Sequence, residues 1–484
     1  MFNDPKIVTS IEYKEPNQRQ QPAVINTHMF QNSFPALPGG VNGVGGSATV
    51  QAMQALGLGD RGIMVAPTDQ VGRTLQANGL PAVGYSFVGN SDTHHDTWYE
   101  EGNRAFLVER VMGQITGRND VVYAHMPISG QVGMEHCRSN GNPLVYLGHA
   151  WEILSSTFFP DREIKPLRLI TEYAIIDYLL SNPGRGFIVT NSDWEADAIA
   201  KAYSRSPSPN NVGQFVHDIT GESNIHENLF EPLKRAASDL EQKRIRFFDE
   251  ERIRGLCIKN PIGVDTSEYS PDVLTLRRMA VRDVLLDNLN IPRNATVIGG
   301  VGRIHPQKDP LTSLAVFEKV RDGLERPDDV YLLLAGPGDR DSLGEATGYY
   351  AQVLAQLRNR YADMAPNVRI PGAKVDAKDI NSVLDVRLCT ARFETWGLSF
   401  QESLCMGVPS VALTNPVYQE LYGGTGVTLE SDHQKLAESI VALVQDPTRR
   451  NEYGSHCRHI GARYDWDNSV TSLLGLLQRE AGFK

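Results

Sequence analysis

Short apolar runs alternate with segments of helical period, and they do so in two separate blocks. In the first block the strand-like runs are KIVTSIEY, GIMVAP (62–67), AVGYSFV (82–88), DVVYAHMP (120–127), PLVYLGHAW (143–151) and GFIVTNS (186–192). Helical periodicity fits 46–57, 100–116, 164–181 and 193–203. In the second block the runs are TVIGGVGRI (296–304), DVYLLLAG (329–336), NVRIPG (367–372), VRLCTARF (386–393) and VPSVAL (408–413). Helices fit 310–325, 341–363, 377–384, 398–406, 432–445 and 467–480. Such alternation builds βαβ units and parallel sheets. It predicts an α/β chain of two doubly wound domains, with ligands at the carboxyl ends of the strands and a cleft between the domains.

The alternation stalls between the blocks. Residues 204–254 run from a polar loop, SRSPSPNNVGQ, into the charged stretch LKRAASDLEQKRIRFFDEERIR, and read as a helical insertion on the first domain. KNPIGVDTSEYSPD, at 259–272, is rich in turn formers and reads as the start of an interdomain linker. The expected division is a first domain over 1–265, a linker over 266–294, a second domain over 295–465 and a final helix over 466–484.

A length of 484 residues suits two or three cores, and 41% hydrophobic with 22% charged residues is globular composition. No apolar run approaches the ~18 residues of a membrane span. MFNDPKIVTS lacks the features of a secretory signal, so a cytoplasmic protein is expected. Residues 1–272 hold 23 basic and 32 acidic side chains, against 24 and 26 in the remainder. The acidic first half argues against nucleic acid and anionic membranes as partners. The five cysteines form no Cys-x-x-Cys pair and are odd in number, which argues against a disulfide framework or a structural zinc site.

Three glycine-bearing stretches could carry chemistry. PGGVNGVGGSATVQAM (38–53) leads into a helix and allows close backbone approach at Gly40 and Gly43, although it lacks the dinucleotide spacing and also suits a plain flexible loop. In GGVGRIHPQKDP (299–310) a strand is expected to end at Arg303, with Asp309 and Pro310 opening a helix. Arg303 and Lys308 would then stand at the strand's carboxyl end, as surface charges or as a grip on a diphosphate. In ARFETWGLSFQES (391–403) a strand is expected to end near Glu394. Gly397 would open a helix whose first amides, at Leu398 and Ser399, can donate to phosphate. Glu394 reads as a helix cap or a site carboxylate, and Glu402 as a solvated residue or an acceptor for a sugar diol. His125 and His149 both end strand-like runs, in structural or site roles. His94, His95 and Asp96 lack the spacing of a metal motif, and no metal site is expected.

Taken in order, PGGVNGVGG, PIGVD, GRIHPQKDP, LLLAGPGD, FETWGLSFQES and MGVPSVAL resemble retaining glycosyltransferase family 4, most strongly over about 255–470. YDWDNSVTSLLGLL is similar to that family's ending. The resemblance implies the GT-B fold: two Rossmann-like domains facing a cleft, with the last helix crossing back onto the first. It implies metal-independent, retaining transfer of a hexosyl group from a nucleoside-diphosphate sugar, UDP- or GDP-linked, to a small-molecule or glycan acceptor. By the same resemblance Arg303 and Lys308 hold the diphosphate and Glu394 contacts the donor sugar. Glu402 holds the ribose, and His149 lies close to the transferred sugar. Gly40 and Gly43 approach phosphate and acceptor, and the base lies near Pro371 and Gly372. Gly397, Leu398 and Ser399 complete the donor set. The sequence departs from the family at Ile262, where Asn is usual, at Trp396, where Phe is commoner, and in the longer glycine loop. The loop change and the 204–254 insertion fall where acceptor recognition would be decided, so the family does not fix the acceptor; the acidic first half favours a soluble one. Another GT-B enzyme, such as a sugar-nucleotide epimerase or a glycoside phosphorylase, is the alternative. Oligomeric state, a homo-oligomer included, is left open.

Overall fold

A computed structural model describes residues 23–27, 62–66, 82–84, 107–149, 151–154, 166–204, 248–339, 345–372 and 376–482. The chain divides into two compact units, Met1–Pro261 with Ser469–Lys484, and Ile262–Asn468.

The first unit is built on a parallel sheet ordered β3-β2-β1-β4-β5-β6-β7. The strands are β1 (Val24–Thr27), β2 (Gly62–Ala66), β3 (Ala82–Gly84), β4 (Val121–His125), β5 (Leu144–Leu147), β6 (Gly186–Thr190) and β7 (Cys257–Lys259). The expected opening strand KIVTSIEY lies outside the described residues. The strand that pairs with both β2 and β4 is instead β1, in AVINT, and its four residues are too short to show a period. The helix Met126–Asn140 carries too little periodicity to be legible because glycines fall on its packed face. A Cβ on Gly130 would meet Ile175 Cδ1 at 2.4 Å, and one on Gly133 would meet Val122 and Leu144 at 3.1 Å. Helix propensity is given up there for close approach to the sheet. One face of the sheet packs Val24, Val121, Tyr123, Val145, Leu147, Phe187 and Val189 against Leu473, Leu476, Leu477 and Ala481 from the end of the chain. The last helix therefore returns to the first unit's core. Of the expected insertion, residues 205–247 lie outside the described residues. The helix Glu250–Leu256 is capped by Asp249, and its Arg254 pairs with Asp193 and Asp197.

The second unit's parallel sheet is ordered β10-β9-β8-β11-β12-β13. The strands are β8 (Thr296–Val301), β9 (Val330–Ala335), β10 (Val368–Gly372), β11 (Val386–Cys389), β12 (Ser410–Leu413) and β13 (Thr428–Glu430). Strand order reverses direction between β8 and β11, and the crevice beyond their carboxyl ends is where such sheets bind ligands. Leu314, Phe317, Leu332, Ile440 and their neighbours fill one face of the sheet. Leu286, Val297, Leu333, Ile380 and Met406 fill the other.

The expected linker over 266–294 is corrected: most of it is the helix Pro271–Asn288, which lies within the second unit. Ser270 caps it and Pro271 takes the first turn, so the turn-like SPD is a helix start. Arg278 and Arg282 donate to the carbonyls of Ser382, Val383 and Leu384 at the end of the helix Ala377–Val383. These bonds satisfy carbonyls that a helix end leaves open.

Candidate active site

β8 ends at Val301, two residues before its expected end, so Arg303 stands in the loop beyond the strand. This loop is held by its own turns, with the Lys308 and Asp309 amides donating to the His305 carbonyl. Asp309 closes it in the left-handed region, at φ 46° and ψ 60°, a costly conformation for a residue with a side chain. Its carboxylate accepts from the Thr312 amide and hydroxyl and from Arg392 Nε, which fixes the strained residue in place. Arg303 is exposed and has no carboxylate partner among the described residues; its Nη2 lies 3.5 Å from Gln307 Oε1.

The second loop follows β11. That strand ends at Cys389, so Glu394 lies five residues beyond it, in a loop and not at a strand end. The two loops are bonded to each other. Gln307 Nε2 donates to the Phe393 carbonyl at 3.2 Å, the Arg392 amide donates to the Gln307 carbonyl at 3.1 Å, and Thr390 Oγ1 donates to the Lys308 and Asp309 carbonyls. Lys308 Nζ donates to Glu394 Oε1. Glu394 is 6% exposed, so this is a largely desolvated ion pair. It is not a helix cap: the cap of Leu398–Met406 is Gly397, with no side-chain bond.

Gly397 sits at φ 85°, and a Cβ there would lie 2.4 Å from Tyr418 Oη. Tyr418 is fully buried and stacked on Phe400, so it has nowhere to go. Gly397→Ala is expected to destabilise the second unit by about 2 kcal/mol or more through left-handed strain and the clash. A urea melt checks this, and an unchanged midpoint would contradict the geometry. The Phe400 and Gln401 amides return to the Gly397 carbonyl. Those of Leu398 and Ser399 have no acceptor among the described residues, so two donors and the positive end of the helix open beside the Lys308–Glu394 pair.

Glu402, one turn further on, is not a solvated helix residue. Burial pushes its carboxyl up to about 7, opposed by a hydrogen bond from Tyr269 and by the charges of Arg387 and Lys378. The Tyr269 phenol is held well above its ordinary value by burial and then by the Glu402 charge, so it donates. Lys378 lies over the Tyr269 ring, 5.4 Å from its centroid, and also donates to Glu268. The sequence reading missed Tyr269 and Arg387. Tyr269 lay in the supposed linker, and Arg387 lay inside an apolar strand. Pro371 and Gly372 end β10, with Gly372 at φ 78°.

In the first unit, β4 ends at His125 and the chain beyond β5 reaches His149. His125 Nδ1 lies 2.9 Å from His149 Nε2, and the rings stack at 5.2 Å. One ring must donate and the other accept, so their tautomers are coupled. Desolvation pushes the His149 imidazole down to about 4, leaving it neutral at pH 7. The segment after it is pinned where the Glu152 amide donates to both oxygens of Glu172, at 3.1 Å each. Burial, and then the Glu152 charge, push Glu172 up to about 8. Gly40, Gly43 and the His94–His95–Asp96 cluster lie outside the described residues. The five cysteines are buried and free. Among the described residues, no three His, Cys, Asp or Glu side chains converge to hold a metal, and no helix is long and apolar enough to cross a membrane.

Residues 295–446 match the family Glycosyl transferases group 1. A D-inositol 3-phosphate glycosyltransferase of Catenulispora acidiphila is 24% identical over 76% of this chain and 75% of its own. A GDP-mannose-dependent monoacylated phosphatidylinositol monomannoside mannosyltransferase of Corynebacterium glutamicum is 28% identical over 46% of this chain and 55% of its own. Among solved structures, Thermosynechococcus elongatus sucrose-phosphate synthase superposes with a TM-score of 0.64 at 15% identity, over 95% of this chain and 99% of that one. Anabaena HepE, crystallised with UDP and glucose, gives 0.61 at 15% over 94% and 99%. Fold and family match together define a glycosyltransferase of GT-B fold. The matched stretch lies within the second unit and holds Arg303, Lys308, Glu394, Leu398, Ser399 and Glu402.

Proposed function

We propose that the protein transfers a hexosyl group, with retention, from a UDP- or GDP-linked sugar to a small polar acceptor. The observation that carries this is the meeting of Lys308 with Glu394 beside the two open amides of Leu398 and Ser399, at the carboxyl ends of β8 and β11. A diphosphate seated there meets the Lys308 and Arg303 cations and two backbone donors, and these neutralise the charge that grows as the glycosidic bond breaks. Glu394 braces Lys308 and faces the donor sugar, while Glu402 accepts from the ribose hydroxyls. The acceptor hydroxyl attacks the anomeric carbon on the face from which the diphosphate departs. The bond from that carbon to the β-phosphate oxygen breaks, and the hydroxyl proton passes to the departing phosphate. The products are a glycoside and a nucleoside diphosphate.

The protein residues supply the neutralising charge in this reading, so a chelator is expected to leave the rate unchanged. A soluble acceptor of the polyol-phosphate kind is supported by the relative matched over three quarters of both chains, whose name gives an inositol phosphate. The test is a panel of UDP- and GDP-sugars with and without candidate acceptors, following free nucleoside diphosphate. Acceptor-dependent release, with the product's anomeric configuration matching the donor's, is the expected result. Isomerised sugar nucleotide without release, or phosphate-dependent formation of a sugar phosphate, would overturn it in favour of an epimerase or a phosphorylase.

A further inference from the structure

Arg387 stands on β11 and is 4% exposed, yet its guanidinium bonds are to carbonyls and a hydroxyl and none is to a carboxylate. The pairing of β8 with β11 runs only to Arg387 opposite Gly299, and the guanidinium enters where the strands part. Nη1 donates to the carbonyls of Gly299 and Leu388, at 3.2 Å each. Nη2 donates to the Val301 carbonyl at 3.0 Å and reaches Ser399 Oγ at 3.4 Å. Nε is buried with no hydrogen-bond partner. Gly300 makes the room, because a Cβ there would lie 0.8 Å from Nη1. A strand interior otherwise lined by apolar side chains therefore holds a cation, at the expense of a side chain on β8. Its charge acts on the Glu402 carboxyl, but no carboxylate is bonded to it, and a buried cation held by carbonyls alone is costly unless something else repays it.

We propose that Arg387 is a positioning residue for the donor diphosphate: it orients the Ser399 hydroxyl and adds a fixed positive charge beneath the open amides of Leu398 and Ser399. The diphosphate then adds to the negative charge that Glu402 supplies only in part. This inference rests on the donor-site reading above. Arg387 acts through Ser399 and through the field at the helix end, and Gly300 is its steric partner.

The test compares wild type, Arg387→Lys and the doubly changed Gly300→Ala/Arg387→Leu, in which an apolar pair refills the space. Calorimetry with UDP and GDP, and with uridine and guanosine, separates phosphate recognition from base recognition. The double variant is expected to melt near wild type and to bind the preferred nucleoside diphosphate about tenfold more weakly, the size of a lost charge-assisted contact, with nucleoside binding within about twofold. Arg387→Lys, which keeps the charge, is expected to retain about half of that loss or less on the same scale. Equal diphosphate affinity in wild type and double variant would overturn the inference, as would a parallel loss of nucleoside binding, which marks a structural role. Should the double variant not fold, Ser399→Ala serves instead: about threefold weaker diphosphate binding with nucleoside binding unchanged is expected, and no change overturns the inference. A wild type that binds neither nucleoside diphosphate would overturn the donor-site reading itself.

Discussion

Lys308→Ala is expected to lower the rate of sugar transfer about a thousandfold or more, because it removes a charged donor from a leaving group that becomes more anionic in the transition state. The ammonium has three hydrogens, and Glu394 takes one, so the pair braces Lys308 without exhausting it. The same substitution leaves the buried Glu394 carboxylate without its cation, which is expected to destabilise the second unit by about 1–3 kcal/mol. Two effects are therefore combined in one variant, and a second variant separates them. Lys308→Ala with Glu394→Gln removes the unpaired charge, so the melting temperature should recover while the rate does not. A rate that recovers with stability would make the pair a structural brace. Near-normal turnover in Lys308→Ala would remove it from the chemistry altogether.

Binding of the preferred nucleoside diphosphate is expected to weaken as pH falls below about 7, in a manner that Glu402→Gln abolishes. The Glu402 carboxyl is raised to about 7 from an ordinary value of 4.5. The folded state thus holds this proton more tightly than the unfolded chain does. The linked stabilisation is complete below about 4.5 and is lost as pH rises through 7. Ribose hydroxyls donate, so they favour the ionised carboxylate, and binding must drive the proton off wherever it is still present. The limit of that linkage is about tenfold in affinity per pH unit. Phosphate protonation also contributes on the acid side, so the informative quantity is the difference between wild type and Glu402→Gln at each pH. Glu402→Gln should bind more weakly than wild type above pH 7 and converge with it below. Parallel pH profiles would mean that Glu402 does not meet the ligand.

Much of this site was legible in the sequence, for physical reasons that differ by residue. The strands β8 and β11 are apolar runs bounded by turn formers, so the loops that follow them could be placed, although each strand ends a few residues earlier than its apolar run suggests. Glycine at 397 and Asp-Pro at 309–310 mark helix starts by backbone chemistry alone. Long-range pairing was not legible. Nothing in GRIHPQKDP announces that Lys308 closes on Glu394, or that Asp309 takes a left-handed turn to receive Arg392. Arg387 inside a strand and Tyr269 in a supposed linker carry local signals that point elsewhere; only the register of β11 on β8 and the helix Pro271–Asn288 bring them to the site. The helix Met126–Asn140 was hidden because its glycines serve packing against Tyr146 and Ile175. His125 and His149 were visible as strand-end residues, but their 2.9 Å contact depends on the pairing of β4 with β5.

The donor diphosphate is expected to seat at the ends of β8 and β11, and a crystal structure of the protein with its preferred nucleoside diphosphate bound tests this. Phosphate oxygens are expected within hydrogen-bond distance of Lys308 Nζ, the Arg303 guanidinium and the Leu398 and Ser399 amides, with the ribose hydroxyls on Glu402. A nucleotide bound elsewhere, or one whose phosphates point away from Lys308 and the helix end, would contradict it.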